Sequence, residues 1–202
     1  MISKIYTLEV KLTFTEGILG TSPKNEEIYR DFIGSKAPDA ATVEEEVASL
    51  GADEVAEKGM TVFPRDEEGR PFLYDYQIKG FMKDACKMLR NVPGTKSKGL
   101  TNYKSKIDGL IFTSPRQIVF ENADMTICQR PLRAETMQGP RVALAMSEEI
   151  KAGCSATFEI NCLNEEYLDA AREWLDYGQM RGIGQWRNSD KGRFTWEEIR
   201  VY

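Results

Sequence analysis

The residues best suited to bind a ligand lie in a glycine-rich segment, 178–194, with the sequence GQMRGIGQWRNSDKGRF. Glycine lets the backbone approach a ligand closely, and its amide can hold a phosphate oxygen. Cationic side chains neutralise phosphates, and an indole ring offers a surface on which a base can stack. The alternative is a long turn whose glycines serve only backbone geometry and whose cations keep the chain soluble. The phosphate-binding interpretation assigns this loop to Arg181, Gly182, Gly184, Trp186, Arg187, Lys191 and Arg193.

Two further basic stretches come earlier in the chain. Residues 78–90, IKGFMKDACKMLR, place apolar and cationic residues at helical spacing and predict an amphipathic helix. Residues 91–106 contain Pro93 and several glycines and lysines, which predicts a mobile basic loop. Both stretches are predicted to contact backbone phosphates, and the alternative is a pair of solvated faces. The helix contributes Lys79, Lys83, Lys87 and Arg90, and the loop contributes Lys96, Lys98, Lys104 and Lys106.

A third basic cluster consists of Arg130, Arg133 and Arg141. Proline and glycine bracket these arginines, which predicts a hairpin loop between two strands. Such a loop could reach over a bound strand of nucleic acid or over a neighbouring subunit. The alternative is that its arginines pair with the acids at 44–57 of the same chain.

The chain has no histidine among its 202 residues. This excludes Ser-His-Asp and Cys-His catalysis, and it excludes zinc sites that use histidine. The carboxylates that cluster are adjacent in sequence, so their side chains would diverge, and no pair is nominated for hydrolysis. The four cysteines show no C-x-x-C spacing, which indicates buried thiols in a reducing compartment. We therefore predict a non-enzymatic protein without a cofactor or a metal.

Charge is distributed unevenly along the chain, although the net value is only −5. Residues 16–60 contain eleven acids and four bases, whereas residues 79–106 contain eight bases and one acid. Because salt confines each field to roughly 10 Å, a net acidic protein can still bind a polyanion through a basic segment. Residues 15–77 are also rich in glycine and proline and predict an acidic insertion, with short helices at 25–33 and 42–50.

Hydrophobic periodicity predicts the remaining elements. Residues 2–14 and 154–162 alternate between apolar and polar and predict half-buried strands. A helix follows the second strand and is predicted to end at Gly178, and a last strand is predicted at Arg193–Tyr202. The order fits an α+β, ferredoxin-like (RRM-like) fold, with helices on one face of an antiparallel sheet. We predict a single domain, 1–202, that contains the 15–77 insertion. Further strand candidates are 109–113, 117–121, 125–129 and 142–146.

Three stretches resemble motifs of the RAMP superfamily, the ferredoxin-like subunits of CRISPR effector complexes. Residues 78–83 resemble the isoleucine-x-glycine opening of the family's first basic helix, and 141–158 is a softer match. The resemblance implies a protein that binds a nucleic-acid backbone, or one that packs beside similar subunits. The family's histidine-dependent RNA cleavage is excluded in this chain. Its glycine-rich loop is matched by Gly178, Gly182, Gly184 and Gly192-Arg193-Phe194.

The leading interpretation is a non-catalytic, cytosolic RAMP-like protein that binds single-stranded nucleic acid, with RNA favoured over DNA. It would act beside like or related RAMP subunits in a nucleoprotein complex of antiviral defence. One alternative is a protein–protein interaction module whose acidic insertion mimics nucleic acid and inhibits a defence complex. Another is a small-nucleotide binder or hydrolase that uses the glycine-rich segment as a phosphate cradle. No apolar run suits a signal peptide or a membrane span, so no membrane partner is expected.

Overall fold

The computed structural model describes residues 4–24, 59–136 and 139–202, with the backbone alone between 132 and 144. The short helices predicted at 25–33 and 42–50, together with the acids among them, lie outside the described residues. The prediction of one domain with an insertion at 15–77 stays a prediction for the same reason.

The chain divides into two compact units. The first comprises Met1–Ile18, Pro64–Asp124 and Lys151–Tyr202, and the second comprises Leu19–Phe63 and Met125–Ile150. The mixture of strands and helices confirms the predicted α+β class. In chain order the described elements are β1 (Tyr6–Phe14), β2 (Ile18–Leu19), β3 (Ser22–Pro23), β4 (Thr61–Val62), β5 (Phe72–Tyr74), α1 (Asp75–Leu89), α2 (Tyr103–Leu110), β6 (Ile111–Ser114), β7 (Gln117–Glu121), β8 (Met125–Thr136), β9 (Gly139–Ile150), β10 (Ser155–Cys162), α3 (Glu166–Arg181) and β11 (Phe194–Val201).

The first unit is built on an antiparallel sheet around β1. This strand pairs with β10, with Tyr6 opposite Cys162, and with β11, with Phe14 opposite Phe194. On its far side β10 pairs with both β6 and β7, and β7 pairs with β5. The strand order is β11-β1-β10-β7-β5, with β6 also beside β10. The two half-buried strands predicted from alternation are therefore confirmed, and they lie side by side at the centre of this sheet.

The helices cover one side of this sheet. Leu8, Val10 and Leu12 of β1 point to that side and are fully buried. Helix α3 lies there too, because Trp196, opposite Leu12 in the sheet, donates from Nε1 to Asp176 Oδ1 of α3 at 2.9 Å. Burial of these aliphatic side chains supplies the main driving force for packing the helices on the sheet.

The prediction that Gly178 ends helix α3 is wrong. The helix continues to Arg181, and Gly182, with φ +75°, lies at its end. Gly178 is buried, and a Cβ placed there would lie 2.3 Å from Cζ of Phe194 and 2.7 Å from Cζ of Phe81. This glycine is needed because two aromatic rings pack against the helix backbone.

Residues 91–106, predicted as a loop, are instead partly helical. Lys96–Gly99 forms a short 3-10 helix, which we call the lysine turn, and α2 follows it. Only Ile107 of α2 is buried, so this helix carries little apolar periodicity in its sequence. Tertiary contacts hold it instead, including an ion pair at 2.5 Å between Lys83 Nζ of α1 and Asp108 Oδ1.

The second unit contains a long antiparallel hairpin of β8 and β9. The strands pair from Met125 opposite Ile150 to Thr136 opposite Gly139. Strand β9 also pairs with β2 and β4, and β4 pairs with β3, which gives a five-stranded sheet. At the base of the hairpin, the hydroxyls of Thr61 and Ser147 are 2.8 Å apart.

The prediction that Arg130, Arg133 and Arg141 lie in a loop is wrong, because all three lie in the strands of this hairpin. Arg130 stands opposite Ala145 and Arg133 opposite Val142, whereas Arg141 is in β9. A proline usually interrupts a strand because it lacks an amide donor. Among the described residues β8 pairs only with β9, and a proline is tolerated in such an edge strand.

The side of the first unit's sheet opposite the helices is polar. Thr7 donates to Asn161 at 2.6 Å, and Asn161 donates to Ser114 at 3.0 Å. Glu159 accepts hydrogen bonds at 2.9 Å from both the Tyr202 phenol and the Ser114 hydroxyl. The bond from Tyr202, followed by those from Ser114 and Asn161, lowers the pKa of Glu159, and the same bond raises the pKa of Tyr202.

Replacing Tyr202 with phenylalanine should raise the pKa of Glu159 toward its ordinary value of 4.5. A carboxylate whose pKa is lowered by folding adds stability above its unfolded pKa and loses it as the pH falls through the folded pKa. The variant should therefore be less stable than the parent at about pH 7, and the difference should shrink below about pH 4.

Urea unfolding at about pH 7 and about pH 3 measures this difference. Tyr177→Phe is the control, because no hydrogen bond from the Tyr177 hydroxyl is found within the described part of the chain. A loss of stability that is equal at both pH values would contradict the assignment.

Candidate nucleic-acid interface

Helix α1 displays the cations predicted at 78–90. Lys87 and Arg90 are exposed, and the Arg90 guanidinium lies 5.2 Å from the centroid of the Tyr103 ring. The predicted amphipathic helix is therefore confirmed, with its cationic side at the surface. Its buried side consists of Ile78, Phe81, Met82, Ala85 and Cys86.

A single carboxylate joins α1 to the glycine-rich segment. Asp84 Oδ2 accepts a hydrogen bond from Arg187 Nη1 at 2.6 Å and one from Arg181 Nε at 3.3 Å. Two guanidinium groups on one carboxylate leave one positive charge uncompensated. Because residues three apart share a helix face, Lys87 lies on the same side of α1 as Asp84. The fold thus places two arginines of the glycine-rich segment beside the basic helix.

The backbone of the glycine-rich segment forms hydrogen bonds within the segment and with Gly17, which follows β1. The amide of Ile183 donates to the Gly192 carbonyl at 2.9 Å, and the amide of Gly192 donates to the Gly17 carbonyl at 2.9 Å. The amide of Gly182 donates to the Gly178 carbonyl at 2.8 Å. The amides of Gly182 and Gly192 are therefore used within the fold and are not available to a ligand.

Trp186 is held in a strained conformation at the surface. Its φ is +54°, a left-handed backbone that bulky side chains rarely adopt, and its side chain is 39% exposed. Asp190, at φ +65°, is also left-handed, and its carboxylate pairs with Arg193 at 2.5 Å. Strain of this kind persists only where the surrounding structure enforces it, and it is often found at functional sites.

The lysine turn is fixed to α3 through Glu173. One carboxylate oxygen accepts the amide of Lys96 at 2.6 Å, and the other accepts the Ser97 hydroxyl at 2.6 Å and the Ser97 amide at 3.2 Å. The Ser97 oxygen in turn accepts a hydrogen bond from the Trp174 indole at 2.9 Å. Lys96 and Lys98 are therefore exposed cations on a backbone that is anchored to the core.

The predicted cations differ in whether an acid neutralises them. Among the described residues, Lys87, Lys98 and Lys104 have no ion-pair partner, so their charge is available to an external anion. Lys96, by contrast, lies 3.5 Å from Asp169. The helix α1, the lysine turn and the glycine-rich segment all belong to the first unit, whereas the arginines of β8 and β9 belong to the second.

Sequence reasoning missed the two acids that position these cations. Asp84 is the one acid between residues 79 and 106, and that isolation within a basic stretch is a signal that could have nominated it. Glu173 gives no such signal, because it stands in an ordinary helical pattern and its partners are 76 and 77 residues away.

The described residues offer little for covalent or metal chemistry. Among them no group of three or more cysteine, aspartate or glutamate side chains could hold a metal ion. Burial raises the pKa of Cys154 to about 11 and that of Cys162 to about 12, so both thiols are protonated near neutral pH.

No helix in the part of the chain that the structure describes is long and apolar enough to cross a membrane.

Comparison with solved structures identifies a shared fold. The chain is similar to a protein chain in the cryo-EM structure of the type III-B Cmr-beta bound to cognate target RNA, with a TM-score of 0.53 and 11% identity. The likeness is one of fold. The match covers 98% of this chain but only 60% of the other, so this chain spans about three fifths of that protein's length. No protein-family model and no curated protein matches this chain.

Proposed function

We propose that this chain is a RAMP-like protein that binds single-stranded nucleic acid, with RNA favoured over DNA, and that it does so without catalysing a reaction. The observation that carries the proposal is the pairing of Arg181 and Arg187 with Asp84, which joins the glycine-rich segment to the basic helix. A nucleic-acid backbone that follows α1 would meet Lys87 and then the two arginines. Cations placed in this way position the backbone without reading its sequence.

The strand order supports the finer assignment of the fold. Strand β1 lies between β10 and β11, and the β6–β7 segment lies on the other side of β10. With α1 after β1 and α3 after β10, this is the arrangement that we assign to the ferredoxin-like fold. The proposal includes a cytosolic location and like or related RAMP subunits as partners.

The carboxylates on the opposite side of the sheet support placing the nucleic-acid backbone beside α1. Glu9 and Glu159 stand opposite one another in β1 and β10, whereas the carboxylate of Glu121 in β7 is paired with Lys11 at 3.6 Å. Carboxylates repel phosphates, and phosphate contacts dominate the affinity of a protein for a nucleic-acid backbone. The preference for RNA is supported by the fold shared with a chain in the structure of a Cmr-beta described as bound to cognate target RNA.

Charge changes at Lys87 and Arg187 should weaken binding of single-stranded RNA. We expect K87E and R187Q each to lower affinity by roughly tenfold at low salt, and each to reduce the slope of log affinity against log salt by about one. Fluorescence anisotropy with a labelled single strand of about 15 nucleotides measures both quantities.

The matched control is K151E. Lys151 is exposed on the same unit but lies in the turn after β9, where it pairs with Asp124 at 2.8 Å. K151E changes the net charge by the same amount as K87E. An equal loss of affinity in both variants would therefore be explained by net charge alone and would contradict a binding site at Lys87. Failure of the parent protein to bind single-stranded RNA or DNA would refute the function itself.

A further inference from the structure

Two aromatic side chains near the start of α1 are unusually exposed. Tyr76 is 58% exposed, and Phe112 of β6 is 44% exposed. Single exposed aromatic residues are common on protein surfaces and need no explanation. Two such rings accompanied by cations are typical of surfaces on which the bases of a single strand stack.

The Tyr76 ring packs against other aromatic rings of the protein. It stacks on Tyr74 with centroids 5.1 Å apart and planes at 17°. Tyr74 in turn makes an edge contact with Phe72 at 4.9 Å, and Phe72 is buried in the core. The exposed ring therefore lies at the end of a ladder of aromatic side chains, which limits the conformational entropy lost when a base stacks on it.

Phe112 stands opposite Asn161 of β10, on the polar side of the sheet, and Lys79 of α1 reaches its ring. The Lys79 ammonium lies 4.8 Å from the centroid of Phe112, a cation–π distance. Lys79 is three residues after Tyr76 in α1, so the two side chains share a face of the helix. The helix start is fixed to β6 because the Thr113 hydroxyl donates to the Asp75 carbonyl at 3.1 Å.

A second cation lies at the same end of the helix. Arg116 is exposed, and its carbonyl accepts the amide of Asp75 at 3.0 Å. The start of the helix thus carries two exposed rings, the ammonium of Lys79 over one of them, and the exposed residue Arg116. A phosphate can pair with either charge while a neighbouring base stacks on a ring.

We propose that Tyr76 and Phe112, with Lys79 and Arg116, form a stacking platform for unpaired bases of the bound nucleic acid. This inference rests on the proposed function and deepens it, because it says where the bases of the single strand lie, whereas the proposed function places only the backbone. Bases in a duplex are stacked on each other and paired, so they cannot lie against a ring on the protein surface. The platform is continuous with the cations of α1 through Lys79.

The test compares two probes that differ only in their bases. One is a fluorescein-labelled oligouridylate RNA of about 12 nucleotides, and the other is an abasic ribose-phosphate strand of the same length. The double variant Y76L/F112L keeps apolar side chains but removes both rings, whereas Y76F/F112Y keeps the rings and serves as the control. Thermal unfolding of each variant checks that the fold is retained.

We expect Y76L/F112L to lower affinity for oligouridylate by roughly tenfold or more. Its affinity for the abasic strand and its salt slope should stay within about twofold of the parent, because no phosphate contact changes. An equal loss on both probes, or no loss on either, would overturn the platform and leave the backbone-binding function standing. A parent protein that binds neither probe, or that binds an RNA duplex more tightly than the single strand, would overturn both proposals.

Discussion

Replacing Gly192 with alanine should lower the free energy of unfolding by about 2–4 kcal/mol. Gly192 has φ +72°, and a Cβ placed there would lie 1.9 Å from the Ile183 carbonyl oxygen. The variant must therefore hold a left-handed backbone and also force two backbone segments apart. Because Gly192 bonds to both Ile183 and Gly17, the whole glycine-rich segment should loosen, and RNA affinity should fall with it. Urea unfolding and anisotropy measure the two effects.

Gly69→Ala separates the two causes of this loss. Gly69 has a similar φ of +79°, but nothing lies within 4 Å of the position of its Cβ. G69A should therefore lose only the conformational cost of a left-handed alanine, about 1–2 kcal/mol. If G192A proved no less stable than G69A, the close approach of residues 183 and 192 would not exist in solution.

Replacing Glu173 with alanine should cost about 2–3 kcal/mol of stability and should weaken RNA binding. Its carboxylate accepts hydrogen bonds from Lys96 and Ser97, and Ser97 is fully buried, so the donors would be left without partners. Removing a negative charge should by itself strengthen binding to a polyanion. A loss of RNA affinity in the Glu173→Ala variant would therefore show that Glu173 positions the lysine turn.

Asp169→Ala is the control that matches the charge of E173A. Asp169 lies one turn earlier on α3, and its partners among the described residues are the side chains of Lys96 at 3.5 Å and Arg172 at 3.2 Å. Exposed ion pairs contribute about 0–1 kcal/mol, so D169A should be nearly as stable as the parent. It should bind RNA at least as tightly as the parent does. Equal tightening in both variants would show that the lysine turn is not held by Glu173.

Elements with a local signature could be predicted from the sequence. Apolar and polar residues alternate along β1 because one side of the strand faces the helices and the other faces polar neighbours. This alternation can be recognised from consecutive residues alone. Helix α1 was predicted for the same reason, since its buried residues recur at helical spacing. The cations of the glycine-rich segment were also found from composition alone.

Turn-forming residues were misleading where the tertiary structure overrides them. Gly178 serves ring packing inside a helix, and Pro131 stands within an edge strand opposite Leu144. Both residue types usually end an element, so a prediction from local sequence places a boundary there. Distant partners decide these positions, and no spacing rule reveals them.

The contacts that organise the candidate interface are long-range and could not be predicted. Asp84 is 97 residues from Arg181 and 103 residues from Arg187. The sequence predicted which residues were basic, but not which acids would hold them in place. The aromatic residues Tyr76 and Phe112 were missed because their exposure is a property of the folded surface.

The central position of β1 determines when the first unit can form during synthesis. Thr7 and its hydrogen-bond partner Asn161 are 154 residues apart, and β11 follows later still. Strand β1 therefore stays without its partner strands on the ribosome until β10 and β11 have emerged. Pairing over such a separation slows folding and exposes the nascent strand to aggregation. We expect the newly made chain to depend on chaperones that shield this first strand.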